Sequence, residues 1–447
     1  MDSKQLPDNW AITKLGVLSN LIRGVSYKKT DASQIKTAIF NIHILRGGNI
    51  QDGSIVAGKD EVYVNRELIK KTQFIKKSDV VIVASTGSKK LIGKAGIALQ
   101  DYNDTAFGAF LMLARANKKI NSNYFAYFFL SKFYRDKIRE LAGGVNINNI
   151  RKEYINDMRF PLPPRIEQDR IVAKADTLMA QVQAMQKSLE RIPQLLKDFR
   201  QQVLTQAVTG KLTEEWRVGK DLEDWRFSKI EDIADSLSGF AFKSKDFVDS
   251  GIQLIRMGNL YNNKLDLTRN PVFLPRELDI KLRNKYTLIK GDILLSLTGT
   301  KYKRDYGFAI KVDVEEELLL NQRILALRPR INVDYFLYIL KDNIFRDQFF
   351  SFETGGVNQG NVGSKAVQSI KVKIPPAIEQ NEIVSRVEGL FRTLRQIEEK
   401  YETLKLKING LPQAILQKAF KGELVEQLPT EGDAKELLKE IEKLKKS

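Results

Sequence analysis

The chain has no cysteine and a single histidine, His43. The first absence excludes disulfides, thiolate nucleophiles, iron–sulfur clusters and Cys-based zinc sites; the second excludes a His–His metal pair. Long apolar runs are missing too. The most continuous, such as Val80 to Ala84, fall far short of the roughly 20 residues that span a bilayer. The opening MDSKQLPDNW carries no positive segment followed by an apolar stretch, so it does not read as a signal peptide. A soluble, cytoplasmic protein without membrane contact is expected. Acidic residues are scarce relative to basic ones: 55 Asp and Glu face 73 Lys and Arg, a net charge of +18. Such an excess concerns partners rather than fold, and a polyanion is the natural complement.

Catalytic motifs are missing as well. The stretch Gly87 to Lys94 (GSKKLIGK) has one residue too many between its glycines for a phosphate-binding loop, and Ala95 stands where a Mg²⁺-binding hydroxyl belongs. Asn270-Pro271-Val272-Phe273 resembles the motif with which amino-methylating enzymes hold a target amino group. It lacks the second proline, no glycine-rich cofactor loop precedes it, and it reads as a turn. Nothing identifies a nucleophile and a carboxylate for His43, which reads as a polar residue at a strand edge.

What is present is a repeat. Pro163-Pro164-Arg165-Ile166-Glu167-Gln168 returns 212 residues later as Pro375-Pro376-Ala377-Ile378-Glu379-Gln380. At the same shift Gly143-Gly144-Val145-Asn146 returns as Gly355-Gly356-Val357-Asn358, and Gly210-Lys211-Leu212 as Gly422-Glu423-Leu424. Trp10 pairs with Trp225, and Gly24 to Lys28 (GVSYK) with Gly239 to Lys243 (GFAFK), at a shift of 215. Ordered motifs of this kind mark a duplication. In each half a mixed segment comes first. Runs such as Val80-Val81-Ile82-Val83 and Ile293-Leu294-Leu295, each preceded by an aspartate, predict strands. Tyr124 to Leu130 and Tyr335 to Leu340 predict buried helices.

A long helix follows each mixed segment. Its apolar positions are Val172, Ala175, Met179, Val182, Met185, Leu189, Ile192, Leu196, Phe199, Val203 and Ala207. Adding 212 gives Val384, Val387, Phe391, Leu394, Ile397, Tyr401, Leu404, Ile408, Leu411, Ile415 and Ala419, all apolar again. Steps of three and four make a coiled-coil seam, and the consecutive 3, 3 step (Met179, Val182, Met185) predicts a stammer shared by both helices. Pro193 in the first helix, and Asn409-Gly410 with Pro412 in the second, predict a bend or loosening. The fold class expected is α+β. Two mixed domains are separated by two long helices that pair as an antiparallel coiled coil, with pseudo-twofold symmetry.

Three sets of residues suit nucleic acid. Thr86-Gly87-Ser88-Lys89 with Lys90 returns as Thr298-Gly299-Thr300-Lys301, continuing Tyr302-Lys303-Arg304. Glycine permits close backbone approach, hydroxyls donate to phosphate, and cations neutralise phosphate or read guanine. The GGVN segments bring Asn146, Asn148 and Asn149 in one half and Asn358, Gln359 and Asn361 in the other, side chains able to bond adenine. Arg23, Tyr27, Lys28 and Lys29, with Lys243 and Lys245, form a basic-aromatic set.

These motifs together resemble the specificity subunit of type I restriction-modification systems. Two variable domains alternate with helices bounded by PP-x-IEQ-x-x-IV and A-x-x-G-x-L; the stretches LPDNW, IRGVSYKK, GGVNINNI and VTGKLTEEWR resemble the enterobacterial branch. The resemblance implies target recognition domains at 1–162 and 218–374, conserved helical regions at 163–217 and 375–425, and a tail at 426–447. Each domain would read one half of a split, asymmetric site on double-stranded DNA, with the coiled coil as ruler. Two methyltransferase subunits would bring S-adenosylmethionine, and restriction subunits would bring ATP and Mg²⁺. This chain would be non-catalytic, with no cofactor or metal of its own. A stand-alone DNA-modifying enzyme and a non-catalytic coiled-coil scaffold are the competing readings.

Overall fold

The structure, a computed structural model, describes residues 6–51, 53–56, 58, 61–142, 148–261, 264–356 and 358–446. The chain folds into two compact units, Met1–Leu189 with Leu404–Ser447, and Glu190–Thr403. Each unit therefore takes one mixed domain together with one stretch of each long helix.

The larger sheet of each unit is built on the same plan. In the first it runs Ser19–Arg23, Leu111–Ala116, Val80–Val83, Ala95–Ile97, then Gly53–Ile55 and Ile50–Gln51. In the second it runs Ala234–Ser238, Ile324–Pro329, Ile293–Ser296, Ala309–Lys311. The expected strands Val80–Val83 and Ile293–Ser296 lie inside these sheets and are fully buried, which is why the runs Val80 to Val83 and Ile293 to Leu295 are apolar without alternation. The aspartates before them are buried acceptors: Asp79 takes Arg115 Nε at 2.8 Å, and Asp292 takes Arg328 Nε at 2.8 Å. A second sheet, Thr105–Phe107, Phe40–Leu45, Tyr63–Asn65, Ala32–Ser33 in the first unit, has as counterpart Phe273–Leu274, Ile252–Ile255, Leu318–Leu320. His43 lies on the inner strand Phe40–Leu45, not at an edge as its isolation in the sequence suggested. Burial lowers its pKa below the ordinary value against the opposing pull of Glu61 and Asp104, and Nε2 is buried without a partner among the described residues.

The aromatic helices form as expected, Ser122–Phe128 and Val333–Lys341. In each, an asparagine accepts from the first turn: Asn121 from the N–H groups of Asn123 and Tyr124, Asn332 from those of Asp334 and Tyr335. Tyr124, Phe125 and Phe128 fill the first core; Tyr335 and Phe336 fill the second.

The loosening expected at the helix prolines occurs in the first long helix and not in the second. The first is broken at Glu190 and Arg191 into Arg165–Leu189 and Ile192–Thr209, so Pro193 sits in a first turn, where its missing N–H costs nothing. The second, Ala377–Lys421, runs unbroken through Pro412. There Gln413 bonds to Lys132 N at 2.8 Å and Leu130 O at 3.0 Å, and Ile415 and Leu416 are buried, so packing holds the helix where propensity would release it. Pairing is antiparallel within each unit. Gln186 meets Asn409 in the first, where Val172 shares a core with Phe420; Arg200 meets Glu398 in the second, where Val208 shares a core with Val387.

The stammer does not appear in the buried seam. Ala175, Val182, Leu189 and Val203 are buried with Leu196 half-buried, and Val387, Leu394, Tyr401, Ile408 and Ile415 are all buried. Both lines advance by seven without interruption. Met185 and Ile397, which created the 3, 3 step, are 45% and 46% exposed. A residue three before a seam position and one three after lie about 60° to opposite sides of it. Met179 and Phe391 accordingly flank the seam half-buried on one side, and Met185 and Ile397 face outward on the other. Val384 is half-buried and Val172 buried.

Candidate nucleic-acid interface

Each PP-x-IEQ motif is a clamp on its own domain. Gln168 donates to Pro163 O at 2.9 Å and accepts from Asn121 N at 2.8 Å; Gln380 repeats both bonds with Pro375 O at 2.9 Å and Asn332 N at 3.0 Å. Glu167 accepts from Trp10 Nε1 at 2.9 Å and Gln427 at 2.7 Å. Glu379 accepts from Trp225 Nε1 at 3.1 Å, from Thr213 at 2.7 Å and from Arg217. The glycine that ends each long helix is left-handed and presses on these rings: a Cβ at Gly210 would lie 3.2 Å from Trp225, and one at Gly422 2.4 Å from Pro7 and 3.4 Å from Trp10. The repeated signature motifs are thus framework.

With the domain fixed on its helices, the folded chain brings together segments far apart in sequence. Ser85–Thr86 pairs antiparallel with Asn148–Asn149, Thr86 opposite Asn148. In the second unit Thr298–Gly299 pairs antiparallel with Gly360–Asn361, Thr298 opposite Asn361. The two candidate loops of each half are therefore one two-stranded ribbon. In the second unit Gly355, Gly356 and Asn358 lie between Thr354 and Asn361, whose N–H groups bond to each other's carbonyls at 2.8 and 2.9 Å and close a hairpin. Gly355, at φ 116°, is required there, because a Cβ would lie 2.1 Å from Gln359 O. Asn358 and Gln359 are exposed on this tip, and Lys301 Nζ reaches Gly355 O at 3.1 Å. Asn149 is exposed; Asn146 falls outside the described residues.

The loop Thr300 to Arg304 is braced from below. Burial works to raise the Asp305 pKa, but bonds from Thr300, with Lys303 nearby, hold it on balance below the ordinary carboxylate value. A lowered carboxyl pKa stabilises above the ordinary value and is lost as pH falls through the depressed one, so the loop is braced at neutral pH. Tyr302 stands 80% exposed at the tip with φ 66°, and Lys303 is exposed beside it. Arg304 is ion-paired with Asp347 at 2.7 Å, and Thr298 is buried. In the first unit Lys89 and Lys90 are exposed, while Thr86 accepts from Ser88 N at 3.2 Å.

The GVSYK and GFAFK segments lie against the same region. A Cβ at Gly24 would fall 2.1 Å from Gly108 O, and one at Gly239 1.9 Å from Asn321 O, so the backbone must pass where no side chain fits. Gly239→Ala is expected to destabilise the second unit by about 1–3 kcal/mol; an unchanged denaturant midpoint would show that the backbone can part at no cost. Lys28, Lys29 and Lys243 are exposed beyond these glycines, as is Arg23 before the first. Tyr27, Ser85 and Thr86 line one cleft of about 580 Å³ with Arg46, Leu91 and Phe110.

Two features went unread in the sequence. Arg46-Gly47-Gly48-Asn49 and Arg256-Met257-Gly258-Asn259 form matching turns, in which Arg46 N donates to Asn49 Oδ1 at 2.8 Å and Arg256 N to Asn259 Oδ1 at 2.9 Å. Their signal was a further short repeat, Arg-x-Gly-Asn. The other is a pair of turns, Gly108 to Phe110 and Asn321 to Arg323, which share no residue type and left no such signal.

Comparisons with known proteins agree with this plan. A model of the type I restriction modification DNA specificity domain matches residues 7–194 and again 222–406. The chain is 34% identical over 431 residues to the StySPI type I restriction enzyme specificity subunit of Salmonella potsdam, which takes in 96% of this chain and 92% of that one. It is 33% identical over 438 residues to the EcoKI specificity subunit of Escherichia coli strain K12, with the same coverage. In fold it resembles the crystal structure of the HsdS subunit from Thermoanaerobacter tengcongensis, with a TM-score of 0.61 at 19% identity over 94% of this chain and 98% of that one. Matched twice by one family model, in step with its own internal repeat, the chain belongs to the family of type I restriction-modification DNA specificity subunits.

Proposed function

We propose that this chain is the sequence-recognition subunit of a type I restriction-modification complex, reading a split, asymmetric DNA site with one domain per half. The observation that carries the reading is the ribbon. In both units a TG[ST]K loop and a GGVN-derived segment are paired, beside a close-packed Gly24 or Gly239 turn with exposed lysines. Recognition domains 1–162 and 218–374 are joined in this reading by spacer helices 163–217 and 375–425, with 426–447 as a tail. The spacer acts as a ruler: half-sites about one helical turn apart present their major grooves on one side of the duplex. Tethering makes the second contact intramolecular.

The chain itself does no chemistry. Two methyltransferase subunits supply S-adenosylmethionine and modify an adenine in each half, and restriction subunits supply ATP-driven cleavage with Mg²⁺. The contacts proposed are Arg23, Tyr27, Lys28, Lys29, Ser88, Lys89, Lys90, Asn148, Asn149 and Thr86 in one half. In the other they are Lys243, Thr300, Lys301, Tyr302, Lys303, Arg304, Asn358, Gln359 and Asn361, with the buried Thr298 positioning the loop behind them. Among the described residues no helix is long and apolar enough to cross a membrane, and the cytoplasm, where the host DNA lies, is the compartment proposed.

The test is mapping of methylated adenines in the host genome with and without this gene. Loss of one bipartite motif supports the reading; an unchanged methylome would end it. Affinity for DNA of the chain with its methyltransferase subunits should fall about a thousandfold or more between 50 and 200 mM salt, as for six or more phosphate contacts. A flat salt response would favour a scaffold whose basic surface is incidental.

A further inference from the structure

We infer that the turn Asn321-Gln322-Arg323 reads base edges in the second half-site, with Arg323 on a guanine, whereas its counterpart Gly108-Ala109-Phe110 makes an apolar contact in the first. The inference rests on the proposed DNA-facing side of each unit. Both turns link the same strands, Thr105–Phe107 to Leu111–Ala116 and Leu318–Leu320 to Ile324–Pro329. Both are locked by backbone on two sides. Phe110 O accepts from Ala84 N at 2.9 Å and Ser85 N at 3.0 Å, and Arg323 O accepts from Leu297 N at 3.0 Å, immediately before each TG[ST]K loop. On the other side Val25 N donates to Phe107 O at 2.7 Å, and Gln322 N to Phe240 O at 2.9 Å. Each turn is thus wedged between two of the segments proposed to face DNA.

On this common platform the side chains differ in kind. The Arg323 side chain is exposed with no hydrogen-bond or ion-pair partner among the described residues, and the residue is held at φ 70°. A non-glycine residue in that region is strained, and strain persists where function uses it. Asn321 Oδ1 is buried with no partner among the described residues, and Gln322 is exposed. Arginine bonds guanine O6 and N7 as a pair, and glutamine bonds adenine N6 and N7. Phe110, 70% exposed, can offer no hydrogen bond; it suits a thymine methyl or a wedge at a base step.

The experiment uses the full chain with its methyltransferase subunits, comparing wild type, Arg323→Gly, Arg323→Lys and Phe110→Ala by methylome mapping, DNA affinity and denaturant midpoint. Arg323→Gly relieves the φ 70° strain, so the protein is expected to be at least as stable as wild type. Its affinity for the wild-type motif should nevertheless drop about ten- to a hundredfold, with discrimination lost at one position of the second half. Arg323→Lys should keep affinity better than discrimination, and Phe110→Ala should alter the first half only. An Arg323→Gly protein with an unchanged motif overturns the inference. So does a uniform loss on all sequences with the salt slope reduced by about one, the mark of a phosphate contact. If the wild-type complex shows no motif at all, the proposed function falls instead.

Discussion

Exchanging residues 218–374 for the corresponding stretch of another family member is expected to rewrite one half of the methylated sequence and leave the other intact. The second unit has its own cores, one built on Ile293, Leu295, Tyr335 and Phe336, another on Ile255, Leu294, Ile310 and Leu320. The first of these cores also takes in Val203, Leu204, Ile383 and Val387 of the helices, and bonds fix the orientation on them: Trp225 to Glu379, Asn332 to Gln380, and Asp342 to Gln201 and Thr205 at 2.8 and 2.6 Å. A graft that keeps Trp225, Asn332 and Asp342 should therefore dock as the original does. Methylated-adenine mapping reads the outcome. A change in both halves would mean that the domains do not read independently.

Glu379→Ala should be far more damaging to stability than an exposed substitution, costing about 3–5 kcal/mol. It removes the acceptor for Arg217, Trp225 Nε1 and Thr213 together, and the glutamate itself is buried. What remains is a half-buried arginine without its counter-ion, and polar groups taken from water with no partner. Denaturant unfolding of Glu379→Ala, Arg217→Ala and the double variant forms the check. The double should cost less than the sum of the singles, and strict additivity would deny that the pair acts as a unit. Glu167, its counterpart, accepts from Trp10 and Gln427 with no direct cation among the described residues, since Arg170 pairs with Glu431. Burial raises its pKa, against the opposing effect of those two bonds. A raised carboxyl pKa works with stability at low pH and against it as pH climbs from the ordinary carboxylate value through the raised one. Glu167→Gln should flatten that part of the stability–pH profile of the first unit.

Much of the fold was legible because it repeats with a physical period. The seam positions recur by threes and fours, and the runs Val80 to Val83 and Ile293 to Leu295 are apolar throughout since both faces are covered. The stammer was misread because Met185 and Ile397 satisfy an apolar count without facing the partner. Helix phase decides that, and only the packed pair reveals which residue of a flank turns inward. Pro412 was misread for a related reason. A helix-breaking propensity of about 3 kcal/mol was outweighed by Gln413 and the buried Ile415 and Leu416, contacts invisible along one helix.

The candidate site was legible as pieces. That Thr86 and Thr298 belong with Asn148 and Asn361 follows from strand pairing between distant segments, which residue types do not encode locally. The turns carrying Phe110 and Arg323 left no trace, because Gly-Ala-Phe and Asn-Gln-Arg share no pattern and are equivalent only by position. By itself the sequence determined the duplication, the helices, the basic excess and the lack of the phosphate-binding and amino-methylating motifs, all carried by composition or by spacing along one element. Tertiary structure alone decided which loops share a face, which apolar residues are buried, and where a strained arginine holds its side chain exposed. Those depend on contacts closed across the chain, whose geometry is set by the whole core rather than by any segment.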